Sequence, residues 1–185
     1  MSMQSRLNLP APEEMREDQR VVLEDILATR GNLDGPFLAW TLSPGLANPA
    51  QQLGAFCRYH TQLDLVESEL AILTTAAWWR SQAEWLIHEP IARKAGLSAD
   101  IIDALQAQQT PEFTEPRQAL IYQTGRSLYE NRRVPDELYQ RGAEIFGEQG
   151  MVELIGIFGY YAFVAMTLNT FEMRPAGDTP LPFPE

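Results

Sequence analysis

The chain has 185 residues, 45% of them apolar, enough for one domain with a substantial core and too few to favour two. A formal net charge of −11, with Lys94 the single lysine, would repel a phosphate backbone and argues against nucleic-acid binding. The lone cysteine, Cys57, excludes an intrachain disulfide and a cysteine-rich metal site, so no metal centre is expected.

Residues 1–14 carry Pro10 and Pro12 and little apolar periodicity, and read as an extended or loosely packed arm. The first twenty residues show neither a signal-peptide apolar stretch nor a transit-peptide pattern. With a single cysteine agreeing with a reducing compartment, a cytoplasmic protein is expected. An amphipathic helix is expected over 17–29, with Val21, Val22 and Ile26 on its apolar face and Gly31 as its stop. Gly31, Gly35, Pro36, Pro44, Gly45 and Pro49 then divide 31–50 into a turn, a short helix over 37–42 and another turn. Phe37 and Trp40 in that segment either cover a pocket or plug the end of a helical bundle. The plug is the simpler reading, since nothing signals a cofactor.

A helix over 50–63 carries Leu53, Phe56, Cys57 and His60 on neighbouring positions. Cys57 and His60 have the spacing of an imidazole-activated thiolate. A lone cysteine beside apolar residues nevertheless reads as a small core residue, and no further ligands complete a metal site.

The stretch 69–96, ELAILTTAAWWRSQAEWLIHEPIARKAG, holds the chemistry. It reads as two helices, 67–78 led by Ser68 or Asp64 and 81–95 stopped by Gly96. Glu69, Ser81, Glu84 and His88 stand there among alanine, leucine, isoleucine and Trp78, Trp79 and Trp85. At about 100° per helical residue, Ser81, Glu84 and His88 share one stripe, so a carboxyl and an imidazole meet across one turn while tryptophans form a dry wall. A competing reading makes S-x-x-E a capping box, in which Ser81 and Glu84 satisfy each other's amides. Pro90 removes the bond to the Leu86 carbonyl, and a kink is expected beside His88.

Ser98 is expected to cap a short helix within 96–105, and 106–116 is a polar connector. A helix over 117–130 shows Leu120, Ile121, Thr124, Leu128 and Tyr129; Pro135 opens another to about 146, and GEQG resets the chain. The element over 151–171 has no charge after Glu153 and reaches the lower length of a membrane span. Gly156, Gly159, Tyr160, Tyr161 and Asn169, and the absence of a basic flank, oppose a span, so it reads as a core helix with a subunit contact. The tail, 173–185, is proline-rich and expected to be irregular. With no useful strand-period stretch, the fold class is all-α, with about eight helices.

The spacing Glu69, eleven residues, Ser81, two residues, Glu84, three residues, His88, followed by Ala92 and AGLS at 95–98, resembles the core signature of the carboxymuconolactone decarboxylase and alkyl hydroperoxidase D-like superfamily. GNLDGPFLAW at 31–40 and ELAIL at 69–73 extend the resemblance over roughly 15–172, the expected domain. It implies the alkyl hydroperoxidase D-like helical bundle, a homo-oligomer with the motif helices near a subunit contact. In the peroxidase branch, cysteines occupy the positions of Ser81 and Glu84 as a redox pair, with relay partners at the positions of Glu69 and His88. Without those thiols, the resemblance implies a lyase of the decarboxylase type that needs no cofactor and acts on a small carboxylated lactone or related acid. The expected roles are Glu84 or Glu69 as proton carrier, His88 polarising the lactone oxygen and Arg80 or Arg58 anchoring a carboxylate. Ser81, Trp79 and Trp85 complete the expected pocket. The alternatives are a thiol peroxidase, for which the atoms are lacking, and a non-catalytic oligomeric binding module whose polar stripe only caps.

Overall fold

A computed structural model of the chain describes residues 3–184. The first two residues of the expected arm and the last of the expected tail lie outside the described residues. Among the described residues the apolar periodicity resolves into eight helices: α1 (Glu17–Arg30), α2 (Phe37–Trp40), α3 (Pro44–Tyr59), α4 (Leu65–Trp79), α5 (Gln82–Ala95), α6 (Ala99–Gln106), α7 (Pro116–Asn131) and α8 (Asp136–Thr170). One short antiparallel pairing joins β1 (Met3–Gln4) to β2 (Arg174–Pro175). The fold is all-α, as its sequence pattern requires.

Helix α4 is the axis. Every residue from Glu67 to Ala77 is buried, and a helix that is apolar on all sides must be surrounded. Helices α5, α7 and α8 pack around it. Its start is fixed locally: the Asp64 amide donates to Glu67 Oε2 at 3.1 Å, and Arg117 of α7 holds the same carboxylate through Nε at 2.5 Å and Nη2 at 3.0 Å. Its end is closed by Arg80 in the left-handed region (φ 46°), which lets the Ser81 amide donate to the Ala76 carbonyl at 2.9 Å. The chain turns there into α5, which continues through Pro90 as one helix and stops at Gly96 (φ 98°).

Two elements differ from their sequence pattern. Helix α3 starts at Pro44, not near residue 50, because a first-turn proline lacks only an amide that would be orphaned anyway. Its buried side is Ala47, Ala50, Gln51, Gly54 and Cys57, while Leu53, Phe56 and His60 face outward. The helices expected over 135–146 and 151–171 form one element, α8, broken at Gly147 (φ 71°). By length and composition α8 could cross a membrane, yet 61% of its apolar window is buried inside the bundle. The tail is irregular yet anchored: the Gln82 side chain accepts from the Phe183 amide (3.0 Å) and donates to its carbonyl (2.8 Å). The Phe183 ring is thereby buried edge-on against Trp85, at 5.2 Å.

Candidate active site

The packing of α5 on α4 brings two buried ionisable groups into contact. Glu69 Oε2 lies 2.8 Å from His88 Nδ1, and both side chains are buried, Glu69 completely. A carboxylate at Nδ1 fixes the ring and leaves its other nitrogen for a ligand. The Tyr161 ring stands edge-on to the imidazole at 5.1 Å, closing its far side.

One turn before His88, Glu84 is 1% exposed, and neither of its oxygens has a hydrogen-bond partner. Burial pushes this carboxyl well above its usual range, and the neighbouring Ser81 hydroxyl, near enough to oppose the shift but not placed to bond, does not restore it. Burial therefore favours the protonated, neutral form of Glu84. The expected capping box does not form: Ser81 occupies the N-cap of α5 without a side-chain capping bond, and its Oγ is buried and unpartnered. Glu69 Oε1 is unpartnered as well. Buried polar atoms are rarely left so, and their clustering in one stretch marks a place prepared for a proton, a water or a ligand.

Glu84 and His88 open onto a narrow cavity of about 30 Å³, room for one or two waters. Tyr160, Tyr161, Val164 and Leu168 of α8 form one wall; the segment 34–37 covers it. Arg30 at the end of α1 and Arg58 near the end of α3 line it too. An outer cavity of about 230 Å³ shares Asp34, Arg58 and Ile87 with the inner one, so Arg58 stands at the boundary of the two.

The sequence-derived residues divide accordingly. Glu69, Glu84, His88 and Ser81 come together, and Arg58 joins them at the cavity. Arg80 does not: it is exposed and, with Trp79, lines a separate cavity of about 480 Å³. The left-handed turn that ends α4 carries it away from His88. Trp85 is buried under Phe183 and takes no part in the cavity wall, while Trp78 stacks on Tyr129 at 5.6 Å. The dry wall is thus tyrosine and aliphatic, not tryptophan. Phe37 covers the cavity, whereas Trp40 plugs the bundle, stacked on Phe163 at 4.8 Å and donating Nε1–H to Thr167 Oγ1 at 3.1 Å. The Cys57 thiol is buried and pushed up to about 11 by that burial, and His60 lies outside on the surface, so no activated thiolate exists. Among the described residues no group of three or more histidine, cysteine or acidic side chains could hold a metal ion.

Sequence reasoning missed Arg30, Asp34, Tyr160 and Tyr161 as parts of this site. The adjacent tyrosines inside an apolar helix were a signal; their meaning depended on α3. A Cβ at Gly54 would lie 2.0 Å from the Tyr160 hydroxyl, so that glycine is the slot in which Tyr160 sits.

The bundle and its buried acid–imidazole stripe define a helical protein with a closed polar site at a helix join. The fold is that of the alkyl hydroperoxidase D core. It aligns with a crystal structure of an uncharacterised peroxidase-related protein from Ralstonia eutropha, described as an alkylhydroperoxidase AhpD core, with a TM-score of 0.76, 17% identity and 92% of each chain covered. No protein-family profile and no curated protein matches the chain.

Proposed function

We propose that the chain is a cofactor-free acid–base enzyme of the carboxymuconolactone decarboxylase type, a lyase acting on a small carboxylated lactone or related acid. One observation carries this reading: a carboxyl kept neutral by burial, with both oxygens free, stands one helical turn from an imidazole that a second carboxylate orients. In such a reaction the C–C bond to a carboxylate breaks, carbon dioxide leaves, and the electron pair passes into the conjugated lactone as a dienolate. His88 polarises the lactone oxygen and stabilises the developing charge. Glu84 delivers its proton to carbon and is reprotonated from water. The inner cavity is too narrow for a lactone as it stands, so binding requires the 34–37 segment to move outward.

A thiol peroxidase is less well supported. Ser81 and Glu84 occupy the positions where the redox pair would stand, and Cys57 is buried, alone and protonated. A purely structural stripe predicts filled space beside His88, and a cavity lies there instead.

The test begins with small carboxylated lactones and related acids incubated in deuterated water, following carbon dioxide release and deuterium incorporation. With a confirmed substrate, Glu84→Gln, His88→Ala and Glu69→Gln are each expected to lower kcat by about 10²–10⁴-fold. Undiminished turnover in all three overturns the assignment.

A further inference from the structure

We infer that Arg30 and Arg58 form a two-guanidinium clamp for a carboxylate that remains on the ligand, with Arg30 as a specificity-determining residue of the site. The inference rests on the acid–base reading only for which end of the ligand reacts.

Both arginines line the inner cavity that Glu84 and His88 open onto. Arg30 is held in place: its guanidinium lies 4.5 Å from the centre of the Phe37 ring, and Nη2 donates to the Gln51 carbonyl at 3.3 Å. Its Nε is buried with no acceptor, an oriented donor left vacant. Arg58 makes no hydrogen bond or ion pair among the described residues; its guanidinium lies 5.5 Å from the centre of the Tyr59 ring. Tyr160 lines the same cavity: burial pushes its hydroxyl up, and the nearby charges of Arg30 and Arg58 pull the other way. A Cβ at Gly54 would meet the Tyr160 hydroxyl and, at 2.8 Å, Arg30 Nη2, which places that hydroxyl and that guanidinium side by side.

The charge count follows. Burial favours the neutral form of Glu84, the Glu69 carboxyl is hydrogen-bonded to His88, and Asp34 at the mouth has a contact of its own. In a chain of net charge −11, two guanidinium groups with no carboxylate partner among the described residues are gathered at one cavity. A guanidinium fork is built to bind a planar carboxylate. A carboxylate gripped by such a clamp is stabilised in its ionised form and therefore resists loss as carbon dioxide, so the clamped group is a spectator that positions the reacting end.

The probe is acetate, a carboxylate only a few atoms in size and so suited to the inner cavity that both arginines line, compared with its uncharged isostere acetamide at constant ionic strength. Binding is measured by titration calorimetry and by the shift in melting temperature of the full chain. Acetate is expected to bind and acetamide not. Arg30→Gln and Arg58→Gln should each weaken acetate at least about 10-fold, and Arg30→Lys, which keeps the charge and loses the fork, by less. Arg126→Gln, on an exposed helix pair with Glu130, should leave binding unchanged. If Arg30→Gln does not fold, Arg30→Lys and Arg58→Gln decide. Absence of acetate binding, equal binding of acetamide, or wild-type acetate affinity in the arginine variants overturns the clamp. The two ideas fail separately: acetate binding by a wild type that turns over none of the lactones and acids offered defeats the enzyme reading and leaves the clamp. Turnover with unchanged KM in Arg30→Gln defeats the clamp and leaves the enzyme.

Discussion

A carboxyl that is 1% exposed and has neither oxygen bonded must stay protonated in the fold, and that has a thermodynamic consequence. The folded pKa of Glu84 lies well above its ordinary value of 4.5. Below about 4.5 both folded and unfolded chains hold the proton, and the group has no pH-dependent cost. As pH rises past that point the unfolded carboxyl ionises while the folded one does not, so stability is lost up to the folded pKa. Glu84→Gln, which cannot ionise, is therefore expected to melt higher than the wild type near neutral pH, by roughly 2–4 °C for each kcal/mol regained. The gap should close in acid. A variant that melts lower at neutral pH, with no narrowing on acidification, would show that Glu84 is not a buried neutral acid. Gained stability with lost turnover is the pattern of a group kept for chemistry against the interest of the fold.

At the scale of elements, the join between α4 and α5 decides where the site lies, and Arg80 is its pivot. A non-glycine residue at φ 46° costs about 1–2 kcal/mol, and here the exposed side chain reaches a cavity other than the one holding His88. Arg80→Gly should therefore raise stability by about 1 kcal/mol and leave turnover unchanged; thermal melting and a rate measurement check both. Lost turnover would reinstate Arg80 as the substrate anchor, the role its sequence position invites. The same join shows what the sequence could carry. Both helices were legible to within about two residues, because their signals, Asp64 before α4 and Gly96 after α5, are local. The Glu69–His88 pairing was legible through the spacing that carries the family resemblance. The start of α3 was not, since Pro44 reads as a breaker unless its first-turn place is known. Most of the cavity wall was not either: Arg30 and Tyr160 come from α1 and α8, and only tertiary packing brings them to the same cavity as Arg58 of α3. Ser81 and Glu84 fitted a capping box by spacing alone, and only burial without bonding distinguished a site from a cap.

At the scale of the whole molecule, α8 has two sides with different demands. One packs on α4 and supplies the tyrosine wall; the other leaves Val152 71%, Ile155 40% and Met166 44% exposed, beside an apolar groove lined by Leu128, Val134, Tyr139 and Met151. A Cβ at Gly156 or Gly159 would meet nothing within 4 Å, so packing within one chain does not call for those glycines. Small residues along an apolar stripe permit a second helix to approach closely, and an apolar face of this kind costs solubility unless it is covered. With a net charge of −11 the copies repel, so an association must be driven by this face and strengthened by salt. We propose self-association through it, consistent with the homo-oligomer that the sequence resemblance implies. Sedimentation of the wild type at micromolar concentration should give a species larger than one chain, and Ile155→Glu should shift it toward the monomer. Because folding and association are linked, the melting temperature of the wild type should rise with protein concentration and that of Ile155→Glu should not. A wild type that sediments as a single chain, with a melting temperature independent of concentration, rules the contact out. Acetate affinity measured on the same Ile155→Glu protein then tests whether the cavity is complete within one chain: Glu84, His88, Arg30 and Arg58 all belong to a single copy, so binding should survive the loss of assembly.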